Sequence, residues 1–448
     1  MRKFLALILT PLALLAGCGG SGTSHGGPPP PPPPPPTQVI ATPGPPNAET
    51  LVVDEGPTAL TVPAVNTAFV SIKVCMPDGT FSSCQTIDHI EIDTGSIGLR
   101  IITGLPQPLN PSAGQLTLAL PPVADPNNVS NVLAECLQFA DGYSYGSVNK
   151  ADIYLPVSHE SATNVYIHVI GAASAGNPAN ASPSCVPKPP LITENTVPSF
   201  GANGILGVGP FINDCNSFGD CTGGGSAIYY GCTTAATPSC AKTTAHMADQ
   251  LPNPANLFAT DNNGVIVELP PVSDTGHLEP LQGTLVFGIG TQTNNGLGGA
   301  RKLFMCDGTN TSAMCVLNGQ TLAGTVSASL NGTTYQASYL DSGSNGNFFP
   351  TSIPSCPIPN NGFLCPASTT SENATLTGTD GLMVAADFDV ANANSLFSPT
   401  PCTPNCLVAF SNLGGPGNGS PDSLDLGLSF FFGRNVFTGI EPGPYFAY

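Results

Sequence analysis

Two short segments carry side chains that could do acid–base chemistry together. His89-Ile90-Glu91-Ile92-Asp93-Thr94-Gly95-Ser96 is a strand-like stretch running into a turn of small residues, and Ala337-Ser338-Tyr339-Leu340-Asp341-Ser342-Gly343-Ser344 repeats the design 248 residues later. Two carboxylates close enough to share one proton can divide the work of hydrolysis. The ionised one activates a water as general base, and the protonated one donates a hydrogen bond to the carbonyl under attack. Asp93 and Asp341 are the candidate pair. Gly95 and Gly343 would let backbone approach the carboxylates, Thr94 and Ser342 would lock the loops to each other, and Ser96 and Ser344 would hydrogen-bond the outer carboxylate oxygens. A third such tripeptide, Asp274-Thr275-Gly276, follows Pro270-Pro271-Val272-Ser273 with no strand before it and has His277 where a small hydroxyl belongs, so it reads as a loop.

The segments that must position these loops read as short strands. Ala68-Phe69-Val70-Ser71-Ile72-Lys73-Val74 and Ala151-Asp152-Ile153-Tyr154-Leu155 alternate, and Gly, Pro, Asn or Asp punctuate the gaps. With 51 Gly, 48 Pro, no Trp and only 9% charged residues among 448, polar character comes from Ser, Thr and Asn, which suits an all-β secreted fold with many turns. No long amphipathic helix and no fixed-period repeat is visible. The formal net charge of −19 excludes nucleic acid as a partner.

The order of the remaining segments resembles that of pepsin-like, two-lobed aspartic peptidases over almost the whole chain from Val52 to Tyr448. Phe139-Ala140-Asp141-Gly142 falls where the flap hairpin over the cleft belongs, with Phe139 in place of the family's tyrosine unless Tyr143 or Tyr145 reaches in. Asn203-Gly204-Ile205-Leu206-Gly207-Val208-Gly209 looks like the hydrophobic-hydrophobic-glycine strand beneath Asp93, and the second-lobe slot is read at Gly427-Leu428-Ser429. Gly283-Thr284-Leu285-Val286-Phe287-Gly288 resembles the strand that opens the second lobe, Phe348-Phe349-Pro350-Thr351-Ser352 follows Asp341 as in the family's second loop, and Phe432 to Glu441 looks like the closing strand pair. The resemblance implies an all-β bilobal fold with a first lobe over 47–278, a second over 279–448 and the cleft between them. It also implies a monomeric endopeptidase that uses an Asp93/Asp341-activated water on a peptide or protein substrate. Arg100 and Arg434 are best read as structural ion-pair partners.

The first 46 residues point to export. Arg2 and Lys3 precede an apolar run from Phe4 to Ala16 that is too short to span a bilayer. Leu15-Ala16-Gly17-Cys18 looks like the lipobox of bacterial lipoproteins, with residues 1–17 removed and Cys18 acylated. Residues 18–46 would form a tether, including nine consecutive prolines from Pro28 to Pro36 that adopt a polyproline II rod. Gly19 after the cysteine favours the outer membrane, so the expected location is the cell envelope.

The fourteen cysteines left besides Cys18 suit an oxidising compartment. Local pairing is expected: Cys75 with Cys84, Cys136 with Cys185, Cys215 with Cys221, Cys232 with Cys240, Cys306 with Cys315, Cys356 with Cys365 and Cys402 with Cys406. No metal or other cofactor is expected, since paired C-x-x-C units are missing and the six histidines are scattered. The stretch from Cys215 to Cys240 reads as a stapled surface insertion.

Two other functions compete. Gly142-Tyr143-Ser144-Tyr145-Gly146 matches the nucleophile elbow of serine esterases, but Val148 to Leu155 after it reads as strand rather than helix, so a hairpin turn is expected there. The second alternative is a non-catalytic binding or assembly lipoprotein on a peptidase-like scaffold.

Overall fold

Some strands alternate buried and half-exposed positions and others are buried throughout, and together they build sheets. The computed structural model describes residues 38–104, 115–140, 142–171, 185, 192–215, 221, 228–235, 238–398, 406–417 and 421–448. It is all-β, 46% strand and 6% helical, with helices of a single turn such as Val197–Phe200 and Leu428–Phe431.

The strands used below are β1 Ala48–Val53, β2 Ala68–Cys75, β3 Cys84–Asp93, β4 Ile97–Ile102, β5 Asn128–Gln138, β6 Gly142–Tyr154, β7 Ser161–Ile170, β8 Gly204–Val208, β9 Gly264–Leu269, β10 Leu281–Phe287, β11 Ala323–Leu330, β12 Thr333–Leu340, β13 Asn347–Phe349, β14 Gly414–Pro416, β15 Asp425–Leu426 and β16 Arg434–Gly439. In β11, Val326, Ala328 and Leu330 are buried while Ser327 and Ser329 between them are half-exposed, the pattern of a strand with one face on the core. β4 is buried at all six positions because strands lie against both its edges and side chains cover both its faces. Each fully buried Leu, Ile or Phe of this core contributes about 1.5–3 kcal/mol, which lets an all-β body with few charges hold together.

A seventeen-stranded sheet takes in β1 to β10 and β16, and an eight-stranded sheet holds β11 to β15. β10 pairs with β1 on one side and β9 on the other, and β9 pairs in turn with β16, so the beginning, middle and end of the body meet in one sheet.

One strand arrangement occurs twice. β3 leads into the Asp93 loop and β4 leads out. β8, from more than a hundred residues later, lies between them, parallel to β3 with Gly207 opposite Asp93 and antiparallel to β4. β12 leads into the Asp341 loop, β13 leads out, and β15 lies between, parallel to β12 and antiparallel to β13. Even the next neighbour recurs: β7 runs parallel to β4 and β14 parallel to β13.

Six of the expected disulfides are present: Cys75–Cys84, Cys136–Cys185, Cys215–Cys221, Cys232–Cys240, Cys306–Cys315 and Cys356–Cys365. Cys406 is also disulfide-bonded, whereas Cys402 and Cys18 lie outside the described residues.

Several expectations need correction. Tyr229–Cys232, inside the supposed surface insertion, pairs with β5 and is wholly buried, its two tyrosines packing into separate apolar clusters, Tyr229 with Leu133, Val148 and Leu251 and Tyr230 with Ala134 and Tyr145. Residues from Gln38 onward, assigned to the tether, already hydrogen-bond to the body: Gln38 Nε2 donates to the Leu269 carbonyl at 2.8 Å and the Ala41 N–H to Glu268 at 2.6 Å. Gly142 to Gly146 is part of strand β6 rather than a turn. Arg434 has no carboxylate partner among the described residues. It lies 4.0 Å from the Phe430 ring centroid and donates to the Phe430 carbonyl at 2.6 Å, a cation–π contact in place of an ion pair.

Candidate active site

Asp93 is the last residue of β3 and Asp341 the first after β12, so each carboxylate stands where a strand turns sharply. The two loops face each other. The Ser342 N–H donates to Thr94 Oγ1 at 2.9 Å and the Thr94 N–H to Ser342 Oγ at 3.1 Å. The hydroxyls pass these bonds on, Ser342 to the Ile92 carbonyl at 2.7 Å and Thr94 to the Leu340 carbonyl at 3.3 Å. Both residues are buried. Four reciprocal bonds therefore fix the separation of the carboxylates, each contributing about 1 kcal/mol and costing more if left half-made.

The glycines are required by contact. A Cβ on Gly95 would sit 2.6 Å from the Asp341 carboxyl carbon, and one on Gly343 would sit 2.8 Å from Asp93 Oδ1. Each loop's backbone thus lies against the other's carboxylate. Asp93 accepts from the Gly95 N–H at 2.7 Å, the Ser96 N–H at 3.2 Å and the Ser96 hydroxyl. Asp341 accepts from the Gly343 N–H at 2.8 Å and the Ser344 hydroxyl at 3.2 Å. Burial, with Asp93 and Asp425 close by, pushes the Asp341 carboxyl well above the usual aspartate range. Burial favours the neutral form of a carboxyl, so Asp341 is placed to hold a proton.

The pair opens on a cleft of about 1450 Å³, larger than the roughly 300–1,000 Å³ typical of small-molecule sites. Phe139, Phe200, Phe348, Phe363 and Phe397 give its walls an apolar character. Phe139 sits at the tip of the β5–β6 hairpin, where its N–H donates to the Gly142 carbonyl, and packs edge-on against Phe200. Asp141 lies outside the described residues. Neither flap-side tyrosine reaches the cleft: Tyr143 accepts from Thr193 Oγ1 at 3.0 Å, and the Tyr145 hydroxyl is buried against Cys232 and Cys240. Ser144 is buried within β6, and its hydroxyl has no partner among the described residues. Asp274-Thr275-Gly276 is an exposed turn apart from the cleft lining. Among the described residues no group of three or more His, Cys, Asp or Glu could hold a metal ion.

Two residues of the site escaped sequence reasoning. Asn66 is buried, its side-chain amide donating to the carbonyls of Asn345 and Phe410 at 2.8 Å, so it fixes the backbone next to Ser344. Asp425 came to light through a register correction. The second threading strand places Leu426 opposite Leu340, so the counterpart of Ile205-Leu206-Gly207 is Asp425-Leu426-Gly427, two residues before the expected Gly427-Leu428-Ser429. Leu428 and Ser429 instead begin a one-turn helix, in which the Ser429 hydroxyl bonds main-chain carbonyls. Asp425 Oδ2 lies 2.6 Å from Ser344 Oγ, and burial followed by the charge of Asp93 pushes its carboxyl up to about 8. A carboxylate in a hydrophobic slot was the available signal, visible only once the slot is aligned on the first half.

A search of the curated proteins finds no match to the chain. A family model does match, over residues 43–448, which takes in both aspartate loops, the flap hairpin and both threading strands, and the chain therefore belongs to that family, the proteins of unknown function DUF3443.

Proposed function

We propose that the protein is an aspartic endopeptidase of the bilobal, pepsin-like kind. The observation that carries the reading is the meeting of Asp93 and Asp341 across four reciprocal loop bonds in the lining of a cleft of about 1450 Å³. The duplicated strand–loop–strand with its threading third strand supports the two-lobed arrangement. A water between the carboxylates gives its proton to ionised Asp93 while protonated Asp341 donates to the substrate carbonyl, so the tetrahedral intermediate forms without a free oxyanion. As the C–N bond breaks, the Asp93 proton passes to the leaving amine, and one hydroxyl of the tetrahedral carbon returns its proton to Asp341 as the new carboxyl group forms.

The test uses the body from Thr37 onward, incubated with an unfolded protein between pH 3 and 7. Cleavage is expected, with inhibition by a statine-type mimic whose hydroxyl takes the place of the attacking water. Asp93→Asn or Asp341→Asn should lower the rate by about 10²–10⁴-fold or to background while the thermal midpoint stays equal or rises. A well-folded body that cleaves nothing across this range would leave the non-catalytic binding scaffold as the better reading.

The leader and Cys18 support an envelope location with a lipid anchor holding the body off the membrane. Cys18→Ser should move the protein to the aqueous phase of a detergent partition; continued membrane association would overturn the anchor.

A further inference from the structure

We propose that Asp425 is a third acid of the site, which acts through Ser344 to hold the proton on Asp341 and so extends the working range of the cleft toward neutral pH. The inference rests on the reading of Asp93 and Asp341 as the water-activating pair, and it starts from the difference between two otherwise matched loops. Ser96 Oγ has one carboxylate to serve, Asp93, and the residue at the matching slot of β8 is Ile205. Ser344 Oγ lies between two carboxylates, 3.2 Å from Asp341 Oδ2 and 2.6 Å from Asp425 Oδ2.

A hydroxyl has one proton to donate. For both contacts to be hydrogen bonds, one of the two carboxyls must itself donate to Ser344 Oγ, so Asp341 and Asp425 hold at least one proton between them. Asp425 is 4% exposed, and its other oxygen, Oδ1, has no partner among the described residues. A charge there would be poorly solvated, and a neutral acid suits the position.

The ionisable groups facing Asp425 are Asp93, Asp341 and Tyr339, the last opposite it in the β12–β15 register. Among the described residues none of the three aspartates is ion-paired to a cation. Protons are therefore what neutralises the cluster. While Asp425 is neutral, the chain Asp425 to Ser344 to Asp341 orients the Ser344 hydroxyl toward Asp341. Once Asp425 ionises, the hydroxyl turns to it across the shorter contact. Asp341 then loses a donor and faces a second negative charge, and both changes keep its proton in place.

Two variants and two measurements decide the matter. Cleavage rate against pH is recorded for the wild type, Asp425→Asn and Asp425→Ile, the last giving the second slot the residue type found in the first. Both substitutions should move the alkaline limb to lower pH, by about one unit. Asp425→Asn, whose amide still donates to Ser344, should keep more of the rate at the optimum than Asp425→Ile.

The second measurement needs no activity. An acid whose folded pKa lies above its unfolded value contributes stability at low pH and loses it as the pH rises to the folded value, so the wild type should lose thermal stability between about pH 4 and 8. Asp425→Asn should flatten that fall. An alkaline limb or a stability slope unchanged in Asp425→Asn would overturn the proposal. If no variant cleaves anything, the peptidase reading fails by itself, and the stability slope still decides whether Asp425 is the buried acid described.

Discussion

Glu135 and Asp214 on one side, and Asp93, Asp341 and Asp425 on the other, are acids withdrawn from water by the same body, yet their charges are handled differently. In the first group Arg100, fully buried on β4, grips Glu135 with two nitrogens at 2.7 and 3.0 Å and lies 3.6 Å from Asp214. His168 Nδ1 is 2.7 Å from the same Glu135, and the Tyr229 hydroxyl donates to Asp214 at 2.8 Å. Burial alone would raise Glu135, but the Arg100 charge and His168 outweigh it and hold the carboxyl well below its usual value. Asp214, beside them, is pushed well above its usual value by burial and by the charge of Glu135 in spite of Arg100, so this group keeps one fixed negative charge against its guanidinium. In the second group no cation is supplied, and both Asp341 and Asp425 are raised.

The difference separates a charge-paired brace from an acid cluster without a cation, the one to which the proposed function assigns the chemistry. Arg100 stands on the strand that leaves the Asp93 loop, opposite Ile205 of the threading strand, so its ion pair stiffens the backbone behind the first carboxylate. A cation among the three aspartates would draw off their shared proton and leave them all ionised, with no acid to donate to a carbonyl. A chain with only ten Lys and Arg against 29 acids has placed a guanidinium where a fixed charge is wanted and left it out where a mobile proton is.

Breaking the brace should give the largest effect on stability. Arg100→Met leaves Glu135 buried without its partner and should cost about 3–5 kcal/mol in urea unfolding, whereas Arg100→Met combined with Glu135→Met should recover much of that loss. A loss below about 1 kcal/mol for the single change would show that water reaches the pair. The pH dependence sharpens the contrast. Glu135 is depressed in the fold, so its contribution is present above the usual glutamate value of 4.5 and is lost as pH falls below it. Glu135→Gln should flatten the acid side of the stability profile, the opposite flank from the one that Asp425→Asn flattens.

The two groups were unequally legible in the sequence. The two aspartate loops announce themselves because Asp-Thr-Gly-Ser and Asp-Ser-Gly-Ser concentrate their acid and hydroxyl groups in four adjacent residues, and short cysteine spacings made five disulfides readable and left Cys136 for Cys185. The brace is scattered over Arg100, Glu135, His168, Asp214 and Tyr229, which only the sheet brings together. Arg100 could be read as a structural ion-pair partner without its acid being nameable. Arg434 looked the same in sequence and turned out to stack on Phe430. Asp425 was hidden by a two-residue error of register: Gly427 fits either end of a hydrophobic-glycine slot, and what decides is the pairing of Leu426 with Leu340. The even burial of β6 was likewise missed, because Gly142-Tyr143-Ser144-Tyr145-Gly146 has the composition of a turn although it pairs with β5 along one edge and, along the other, with Ile192–Thr193 at Gly142 and Tyr143 and with β7 at Gly146.

That stretch supplies the smallest expected effect, and it bears on what counts as a reactive group in this molecule. Ser144 sits in β6 opposite Leu137, fully buried, with its hydroxyl unpartnered among the described residues. A nucleophilic serine needs a base within hydrogen-bond reach and an exposed turn that presents it to substrate, and Ser144 has neither. Removing a buried hydroxyl that makes no bond relieves a desolvation penalty instead of breaking a contact. Ser144→Ala should therefore leave cleavage of unfolded protein unchanged and shift stability by no more than about 1 kcal/mol, in the stabilising direction. Hydrolysis of a simple phenyl ester by the wild type, lost in Ser144→Ala and retained in Asp341→Asn, would reverse the assignment: the reactive oxygen would then lie under the flap hairpin, and the three aspartates would be one more buried cluster.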